Sequence, residues 1–351
     1  MLPRPIAVAG RKIGFEQPCF VIAEAGVNHN GDIALARKLI YAAADAGADA
    51  VKFQTFKADR LTTASAPKAE YQTRLTDAAE SQQEMLRKLE LSENSHVELL
   101  KHAQRRGILF LSTPFDECSA EFLNKLGIPL FKIPSGEITN LPFLEQIARM
   151  KKPIILSTGM ANMDEVEAAV KAIQRAENDE IILLQCVTNY PAAPADTNLR
   201  AMRTMSERLH VATGYSDHTL GIEVSLSAVA LGACVIEKHL TLDKNLPGPD
   251  HRASSEPEEF AALVRGIRKV EEALGTGHKE PARSENASAA VIRKSLVAAC
   301  DVARGEVLTA EMISAKRPGT GLSPALRDKL IGRKVRNEIS AGTLLTLEML
   351  E

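Results

Sequence analysis

The sequence contains no tryptophan, few aromatic residues and no long apolar segment. Aromatic residues make up 4% of the 351 residues, and no apolar run is long enough to span a bilayer. The first ten residues, MLPRPIAVAG, lack the apolar core of a signal peptide. We therefore expect a protein that neither binds a membrane nor leaves the cell.

Cysteine pairs and an excess of one charge are also missing. The five cysteines are far apart, at Cys19, Cys118, Cys186, Cys234 and Cys300. None forms a CxxC or Cys/His motif, so we expect reduced thiols in a cytoplasmic protein. Lys plus Arg number 43 and Asp plus Glu number 45, a net charge of -2. This balance argues against a nucleic-acid partner, and any attraction for anions must be local.

Eight short apolar segments alternate with helical patterns along most of the chain. The segments begin at Cys19, Ala50, Ile108, Leu130, Pro153, Ile181, Val211 and Cys234. They are continuously apolar rather than alternating, which is typical of parallel strands that are covered on both faces. The first segment ends in EAGVNHNGD and lacks the GxGxxG turn of a doubly wound nucleotide-binding sheet. The pattern predicts an α/β fold, a TIM (β/α)8 barrel.

Two regions depart from this alternation. The connection from Thr55 to Leu91 is long and leaves the strand end where barrel enzymes bind substrates, so we predict a lid or a binding loop. Near the C-terminus, ARGEVLTAEM from Ala303 is repeated as SAGTLLTLEM from Ser340. We predict a barrel over residues 1–276, a polar linker over 277–290 and a small β-rich domain over 291–351.

Polar side chains stand at the carboxyl ends of all eight predicted strands. In chain order they are Glu24, Lys52 with Gln54, Thr113, Lys132 with Ser135 and Glu137, Ser157, Asn189 with Tyr190, Ser216 with His218, and His239. In a barrel these ends meet at one mouth, where active sites of such folds lie. Packing does not explain polar groups on every strand, so the set predicts an active site.

Two lysines within apolar strands indicate the kind of ligand. Lys52 and Lys132 each follow an apolar strand residue, and a buried lysine requires an anionic partner. With the serine and threonine hydroxyls nearby, they resemble a cradle for phosphate and carboxylate groups. Two alternatives remain at this point. The lysines form salt bridges to Glu24 or Glu137, or one of them is the nucleophile of a Schiff-base aldolase.

His218 and His239 end the seventh and eighth predicted strands, which are neighbours in a barrel. Two imidazoles at adjacent strand ends predict a divalent metal site that is completed by water and substrate. Mn²⁺ is the favoured ion, and Mg²⁺ or Co²⁺ are alternatives. Such an ion would polarise a carbonyl group.

Nine motifs resemble those of the sialic-acid (nonulosonate) synthase family. They are IAEAGVNHNGD, AVKFQTFKAD, FLSTPFD, FKIPSGEITN, ILSTGMA, TNYPA, GYSDHTLG, EKHLTLDKNLPGPDH and KRPGTG. They run nearly end to end, across both predicted domains. The resemblance implies a TIM barrel with a C-terminal antifreeze-like (SAF) domain. It also implies a domain-swapped homodimer in which each small domain closes the partner's barrel.

The resemblance also assigns roles to residues. The positions implied to contact phosphoenolpyruvate are Lys52, Thr113, Lys132, Ser135, Ser157, Asn189 and Ser216. Those implied on the sugar side are Gln54, Tyr190, Asp250 and Arg317, the last delivered by the partner's small domain. The implied metal ligands are His218 and His239, and Glu24 or Glu137 is implied to move protons.

The implied reaction condenses phosphoenolpyruvate with an open-chain N-acetylated mannose-type sugar and water, and it releases phosphate. The segments KAEYQ, ESQQEMLRKLELS and GPDHRAS look closest to the branch that makes N,N'-diacetyllegionaminate from 2,4-diacetamido-2,4,6-trideoxymannose. Synthesis of N-acetylneuraminate from N-acetylmannosamine is the main alternative. A pseudaminate synthase, a Schiff-base aldolase and a carbohydrate-binding protein are further alternatives.

Overall fold

The structure, a computed structural model, describes residues 3–77 and 79–351. The chain begins with a short antiparallel hairpin of β1 (Ile6–Val8) and β2 (Arg11–Ile13). The apolar side chains of this hairpin are buried in the same core cluster as Phe20, Ala50 and Cys234, which lie at or near the starts of barrel strands. The hairpin therefore covers the amino-terminal end of the barrel.

Eight parallel strands form the barrel. They are β3 (Phe20–Gly26), β4 (Ala50–Thr55), β5 (Leu109–Pro114), β6 (Phe131–Ile133), β7 (Ile154–Ser157), β8 (Ile181–Cys186), β9 (Ala212–Asp217) and β10 (Val235–His239). Their hydrogen-bonded order is β5-β4-β3-β10-β9-β8-β7-β6. The outer members of this order, β5 and β6, lie side by side, so the sheet is a nearly closed barrel. The predicted barrel is confirmed.

Helices surround the sheet as the strand–helix alternation predicts. They are α1 (Ile33–Asp45), α2 (Ala58–Leu61), α3 (Glu70–Leu75), α4 (Gln82–Arg87), α5 (Glu93–Arg105), α6 (Glu117–Leu126), α7 (Leu141–Arg149), α8 (Met163–Arg175), α9 (Ala201–Leu209), α10 (Glu223–Ala230) and α11 (Pro257–Leu274). The Asp32 carboxylate caps α1 by accepting a hydrogen bond from the Ala34 amide. Among the described residues, no helix combines the length and the apolarity needed to cross a membrane.

Most of the apolar core lies between the strands and this helical layer. Its buried members include Phe53, Phe131, Tyr215, Phe260 and Leu39. Outward-facing strand residues therefore meet helices, and inward-facing ones fill the barrel and reach its mouth. The mouth residues are positioned by short strands that are packed on both sides, which limits their freedom to move.

The long connection after β4 contains three short helices, α2 to α4, and we call residues 56–91 the lid. Ser81 and Glu84 form a capping box at the start of α4: the Ser81 hydroxyl accepts from the Glu84 amide, and the Glu84 carboxylate accepts from the Ser81 amide. Lys68 is nearly buried and lies 3.1 Å from the Glu80 carboxylate. These contacts give the lid an ordered structure of its own.

A second compact unit begins at Thr276. It contains α12 (Asn286–Ile292), α13 (Arg327–Leu330) and the antiparallel strands β11 (Ser295–Ala298) and β12 (Ile313–Lys316). Part of the predicted linker is thus helical, because NASAAVI is rich in helix-forming alanine. The predicted repeat has a matching backbone: Gly305 and Gly342 have φ angles of 84° and 83°.

Candidate active site

A cavity of about 470 Å³ lies at the carboxyl ends of the barrel strands. All but two of the predicted site residues line it. They are Glu24, Lys52, Gln54, Thr113, Lys132, Ser135, Glu137, Ser157, Tyr190, Ser216, His218, His239 and Asp250. The barrel brings together residues that are widely separated in the sequence, because parallel strands end at the same edge.

Four buried charged residues, which we call the inner cluster, lie in this cavity: Glu24, Lys52, Lys132 and Glu237. Lys52 Nζ lies 2.8 Å from Glu24 Oε2 and 3.7 Å from Glu237 Oε1. Lys132 Nζ lies 3.5 Å from the same Glu237 oxygen and donates to the Ile133 carbonyl at 3.2 Å. Both lysines thus share one carboxylate, and neither ion pair to Glu237 is at close contact.

Glu237 was not among the predicted site residues, although the sequence contained a signal for it. Glu237 and His239 are two residues apart in β10, so their side chains point to the same face of the sheet. Since His239 was expected to face the mouth, the alternation of the strand also directs Glu237 inward. Glu237 follows the apolar residues Val235 and Ile236 in the strand, which concealed this signal.

The two lysines have different electrostatic surroundings. Burial acts against the charge of Lys52, but Glu237 and Glu24 hold its pKa above the ordinary value. Burial lowers the pKa of Lys132, and Glu237 at 3.5 Å opposes this without compensating for it, whereas Lys52 also has Glu24 at 2.8 Å. Burial also acts to raise the pKa of Glu237, but the two lysines together bring it below the ordinary value. The cavity therefore holds positive charge that protein carboxylates satisfy only in part.

Several hydroxyl groups surround the inner cluster. Thr113 Oγ1 accepts from Lys52 Nζ at 2.9 Å, and Ser135 Oγ accepts from the Gly159 amide at 2.9 Å. The buried hydroxyls of Ser157 and Thr188 have no hydrogen-bond partner among the described residues. Because an unsatisfied buried hydroxyl is costly, these two groups are expected to meet a polar ligand.

The two predicted metal-binding histidines lie together at the edge of the cavity. The ring centroids of His218 and His239 are 5.4 Å apart, and the Tyr190 ring packs against both. His218 Nδ1 lies 2.7 Å from the Val187 carbonyl and therefore donates to it, so Nε2 is the ring nitrogen that would bind a metal ion. Burial, reinforced by His218, lowers the pKa of His239 far below the ordinary value, so its imidazole is neutral.

This arrangement fits a divalent metal that takes two ligands from the protein. The buried Nδ1 of His239 has no hydrogen-bond partner among the residues that the structure describes. Within residues 3–77 and 79–351, no group of three or more His, Cys, Asp or Glu side chains is arranged to hold a metal ion. Water or substrate oxygens would therefore have to complete the coordination.

Asn189, a predicted phosphoenolpyruvate contact, does not line this cavity. Asn189 is exposed, and Thr188, the residue before it, lines the cavity instead. The segment after β8 is not a strand, so strand alternation does not determine which side chain points inward there. Arg317 belongs to the second unit, where it is exposed and its Nε donates to the Ile292 carbonyl at 3.1 Å.

The predicted sugar-side residues form the outer part of the cavity. Gln54 Nε2 donates to Glu24 Oε1 at 3.0 Å. Asp250 Oδ2 lies 4.0 Å from His239 Nδ1, and burial raises the pKa of Asp250 to about 7. Burial also raises the pKa of Glu137, although Asn140 donates a hydrogen bond to its carboxylate.

The lid also contributes residues that the sequence did not single out. Leu61, Thr62, Tyr71, Gln72 and Gln82 line the cavity. The lid itself was predicted, but the three short helices determine which of its side chains turn inward, and no periodic pattern in the sequence indicated them.

The class of protein is defined by a barrel with buried charged residues and two histidines at its carboxyl end, and by the small second unit that follows it in the chain. Residues 39–279 match the NeuB family and residues 293–351 match the SAF domain. The chain belongs to the NeuB family.

Individual relatives are similar over nearly the whole chain. The N,N'-diacetyllegionaminic acid synthase of Legionella pneumophila is 48% identical over 342 residues, which are 96% of each chain. The enzyme of the same name from Campylobacter jejuni is 51% identical over 315 residues, 89% of this chain and 94% of that one. A solved structure of N-acetylneuraminic acid synthetase from Leptospira borgpetersenii has a TM-score of 0.73 and 37% identity, covering 82% of this chain and 95% of that one.

Proposed function

We propose that the chain is a nonulosonic acid synthase that makes N,N'-diacetyllegionaminate. It condenses phosphoenolpyruvate with open-chain 2,4-diacetamido-2,4,6-trideoxymannose and water and releases phosphate. The observation that carries the proposal is one cavity with two buried lysines, unsatisfied hydroxyls and two adjacent histidines. The two relatives named as N,N'-diacetyllegionaminic acid synthases support the choice of product.

The inner cluster binds phosphoenolpyruvate in this proposal. Lys52 and Lys132 pair with its phosphate and carboxylate oxygens, and the hydroxyls of Ser157 and Thr188 donate to them. Glu237 favours the charged form of both lysines before the substrate binds. An anion with several oxygens then provides the close contacts that Glu237 lacks.

Carbon–carbon bond formation follows. The enol carbon of phosphoenolpyruvate attacks the aldehyde carbon of the sugar, water adds to the adjoining carbon, and the C–O bond to phosphate breaks. His218 and His239 would hold the divalent ion, which supplies Lewis-acid polarisation of the aldehyde when bound. Burial raises the pKa of both Glu24 and Glu137, which favours the protonated carboxyl and suits groups that hold and pass on a proton.

Phosphate release tests the proposal. The purified protein is given Mn²⁺, phosphoenolpyruvate and either 2,4-diacetamido-2,4,6-trideoxymannose or N-acetylmannosamine. We expect release with both sugars and a higher kcat/KM with the first. A higher kcat/KM with N-acetylmannosamine would support the alternative, N-acetylneuraminate synthesis. Absence of release with either sugar would contradict both.

Metal removal and covalent trapping separate this mechanism from that of a Schiff-base aldolase. Chelation should abolish phosphate release, and Mn²⁺, Mg²⁺ or Co²⁺ should restore it to different extents, with Mn²⁺ expected to restore most. Borohydride with pyruvate should leave Lys52 and Lys132 unmodified. Trapping of either lysine would favour the aldolase.

The active site is completed by a partner chain in this proposal, as a domain-swapped homodimer. Arg317 is exposed in its own unit, and its Nε donates to the Ile292 carbonyl. Mixing inactive Arg317→Ala and Lys132→Met subunits should restore part of the activity if each site takes residues from two chains. No recovery in confirmed mixed dimers would contradict the swap. All five cysteines are unpaired, which supports a cytoplasmic location.

A further inference from the structure

One side of the mouth cavity is apolar. Seven side chains line it there, and we call them the apolar wall: Val27, Phe56, Leu61, Met85, Leu86, Leu89 and Phe115. Four of them are buried, and Leu61, Leu86 and Phe115 are partly buried against the others. Their packing stabilises the lid, but their contact with the cavity requires a further reason, because an anionic substrate gains nothing from an apolar surface.

Uncharged polar groups surround this wall. Thr62, Tyr71, Gln72 and Gln82 line the cavity from the lid. Gln82 Nε2 donates to Gln72 Oε1 at 3.3 Å, and Gln72 Oε1 also accepts from the Ala69 amide at 3.0 Å. Among the lid side chains that the structure describes, those that line the cavity are uncharged, whereas charged ones such as Asp59, Lys68 and Glu84 do not line it. The lid therefore offers the cavity apolar side chains, hydroxyl groups and carboxamide groups.

A row of aromatic rings relates this surface to the histidines. The centroid of Tyr190 is 4.1 Å from that of His218 and 5.0 Å from that of Tyr71. Tyr71 thus lies two ring contacts away from the predicted metal ligands. On the proposed function, the aldehyde end of the acceptor lies at the histidines. The opposite end of a six-carbon chain then lies beside Tyr71 and the lid.

We propose that the lid selects the acceptor by its far end. The apolar wall receives the methyl group of a 6-deoxy sugar, and Gln72 and Gln82 recognise an acetamido group at carbon 4. A hydroxymethyl group at carbon 6 would lose hydrogen bonds to water on entering this surface without finding replacements there. This inference rests on the proposed function and names Leu61, Leu86, Gln72 and Gln82 as specificity-determining residues.

Substrate analogues test the inference without altering the protein. Wild-type enzyme with Mn²⁺ and phosphoenolpyruvate is compared on N-acetylmannosamine and on its 6-deoxy analogue. We expect kcat/KM to be about tenfold higher or more for the 6-deoxy sugar, the usual range for one group in an apolar pocket. Equal values for these two sugars would overturn the assignment of the methyl group to the wall.

Variants then identify the residues. Leu61→Asn and Leu86→Asn should each lower the preference for the 6-deoxy sugar by about tenfold, because both side chains are only partly buried and asparagine is similar in size. Gln82→Leu should lower kcat/KM for the 4-acetamido sugar and leave N-acetylmannosamine nearly unchanged. The KM for phosphoenolpyruvate should stay the same in all three. Leu231→Asn, at an exposed leucine outside the cavity lining, is the control.

The outcomes separate the two proposals. If wild-type enzyme releases phosphate with none of the acceptors, the 2,4-diacetamido-2,4,6-trideoxy sugar included, the proposed function fails, and the inference that depends on it fails as well. If wild-type enzyme releases phosphate with the sugars but the three variants reduce all acceptors equally, only the inference is overturned. A change in the ratio between acceptors, at constant KM for phosphoenolpyruvate, supports it.

Discussion

Two buried charge clusters lie on opposite faces of the barrel sheet, have strand β10 in common and differ in how completely their charges are paired. The outer cluster, between β9, β10 and α10, consists of Asp217, Thr219, Ser225 and Lys238. Lys238 Nζ lies 2.9 Å from Asp217 Oδ2 and donates to the Thr219 carbonyl at 2.7 Å. The Asp217 carboxylate also accepts from Ser225 Oγ at 2.6 Å and from Thr219 Oγ1 at 2.8 Å.

The inner cluster has equally buried charges but looser contacts. Glu237 lies 3.5 and 3.7 Å from the two lysines, and its Oε2 has no hydrogen-bond partner among the described residues. Glu237 and Lys238 are adjacent in β10, so the chain positions both clusters with one short strand. Burial of charge alone therefore does not identify a functional site. A buried charge with incomplete ion pairs and hydrogen bonds does indicate one, because a ligand can complete these interactions.

The largest expected effect comes from removing a charge of the inner cluster. Lys132→Met should lower kcat/KM for phosphoenolpyruvate by at least about a thousandfold, since the substrate loses a buried cationic partner. The free energy of unfolding should change by only about 1 kcal/mol, because burial of this lysine is poorly compensated. Phosphate-release kinetics and urea unfolding measure the two quantities. A strong loss of stability would mean that the inner cluster is structural.

The outer cluster should respond in the opposite way. Lys238→Met leaves Asp217 buried without its cation and should lower the free energy of unfolding by about 3–5 kcal/mol. Urea unfolding measures this loss. The double variant Lys238→Met/Asp217→Leu should recover part of it, because no unpaired charge remains. If Lys238→Met and the double variant both had the free energy of unfolding of the wild type, the outer cluster would not be the structural one of the two.

A buried histidine outside both clusters provides a pH test. Burial lowers the pKa of His29 from 6.5 to about 4. Between these values the unfolded chain binds a proton that the folded chain does not, so His29 makes stability fall as pH drops from 6.5 to 4. His29→Gln should remove up to about 3 kcal/mol of this pH dependence.

Urea unfolding at a series of pH values measures the slope for His29→Gln and for the wild type. His278→Gln, at an exposed histidine, should leave the slope unchanged. Identical slopes for His29→Gln and the wild type would show that His29 is not held neutral by burial.

A pair of serines gives the smallest and most direct test. Ser157 Oγ, in the cavity, has no partner within the described residues, whereas Ser225 Oγ donates to Asp217 at 2.6 Å. Ser157→Ala should therefore raise the KM for phosphoenolpyruvate about tenfold or more without loss of stability. Ser225→Ala should lower the free energy of unfolding by about 1–3 kcal/mol with little effect on that KM. Calorimetry measures the stability of both variants, and steady-state kinetics measures their KM for phosphoenolpyruvate. A loss of stability in Ser157→Ala together with a raised KM in Ser225→Ala would contradict the prediction.

Much of the fold was predictable because its signals are local. The apolar segments around Val21, Val51 and Ile182 became strands of the barrel, and the repeated turns at Gly305 and Gly342 share a backbone conformation. The candidate site was predictable to the extent that it lies at strand ends. Glu237 was missed although strand alternation indicates it. Asn189 was chosen where Thr188 lines the cavity, because alternation does not extend into the loop after β8.

The sequence alone was enough to predict the barrel, the polar strand ends and the pair of histidines. Strand periodicity and connection order depend on residues that are neighbours along the chain. Lys52 and Lys132 share the Glu237 carboxylate, but Glu24 lies close to Lys52, so the pKa values of the two lysines shift in opposite directions, and this depends on the tertiary structure. The tertiary structure also decided which lid side chains, such as Leu61 and Gln82, face the cavity. These features depend on distances between groups that are far apart in the chain, and electrostatic and apolar contacts act through space rather than along the sequence.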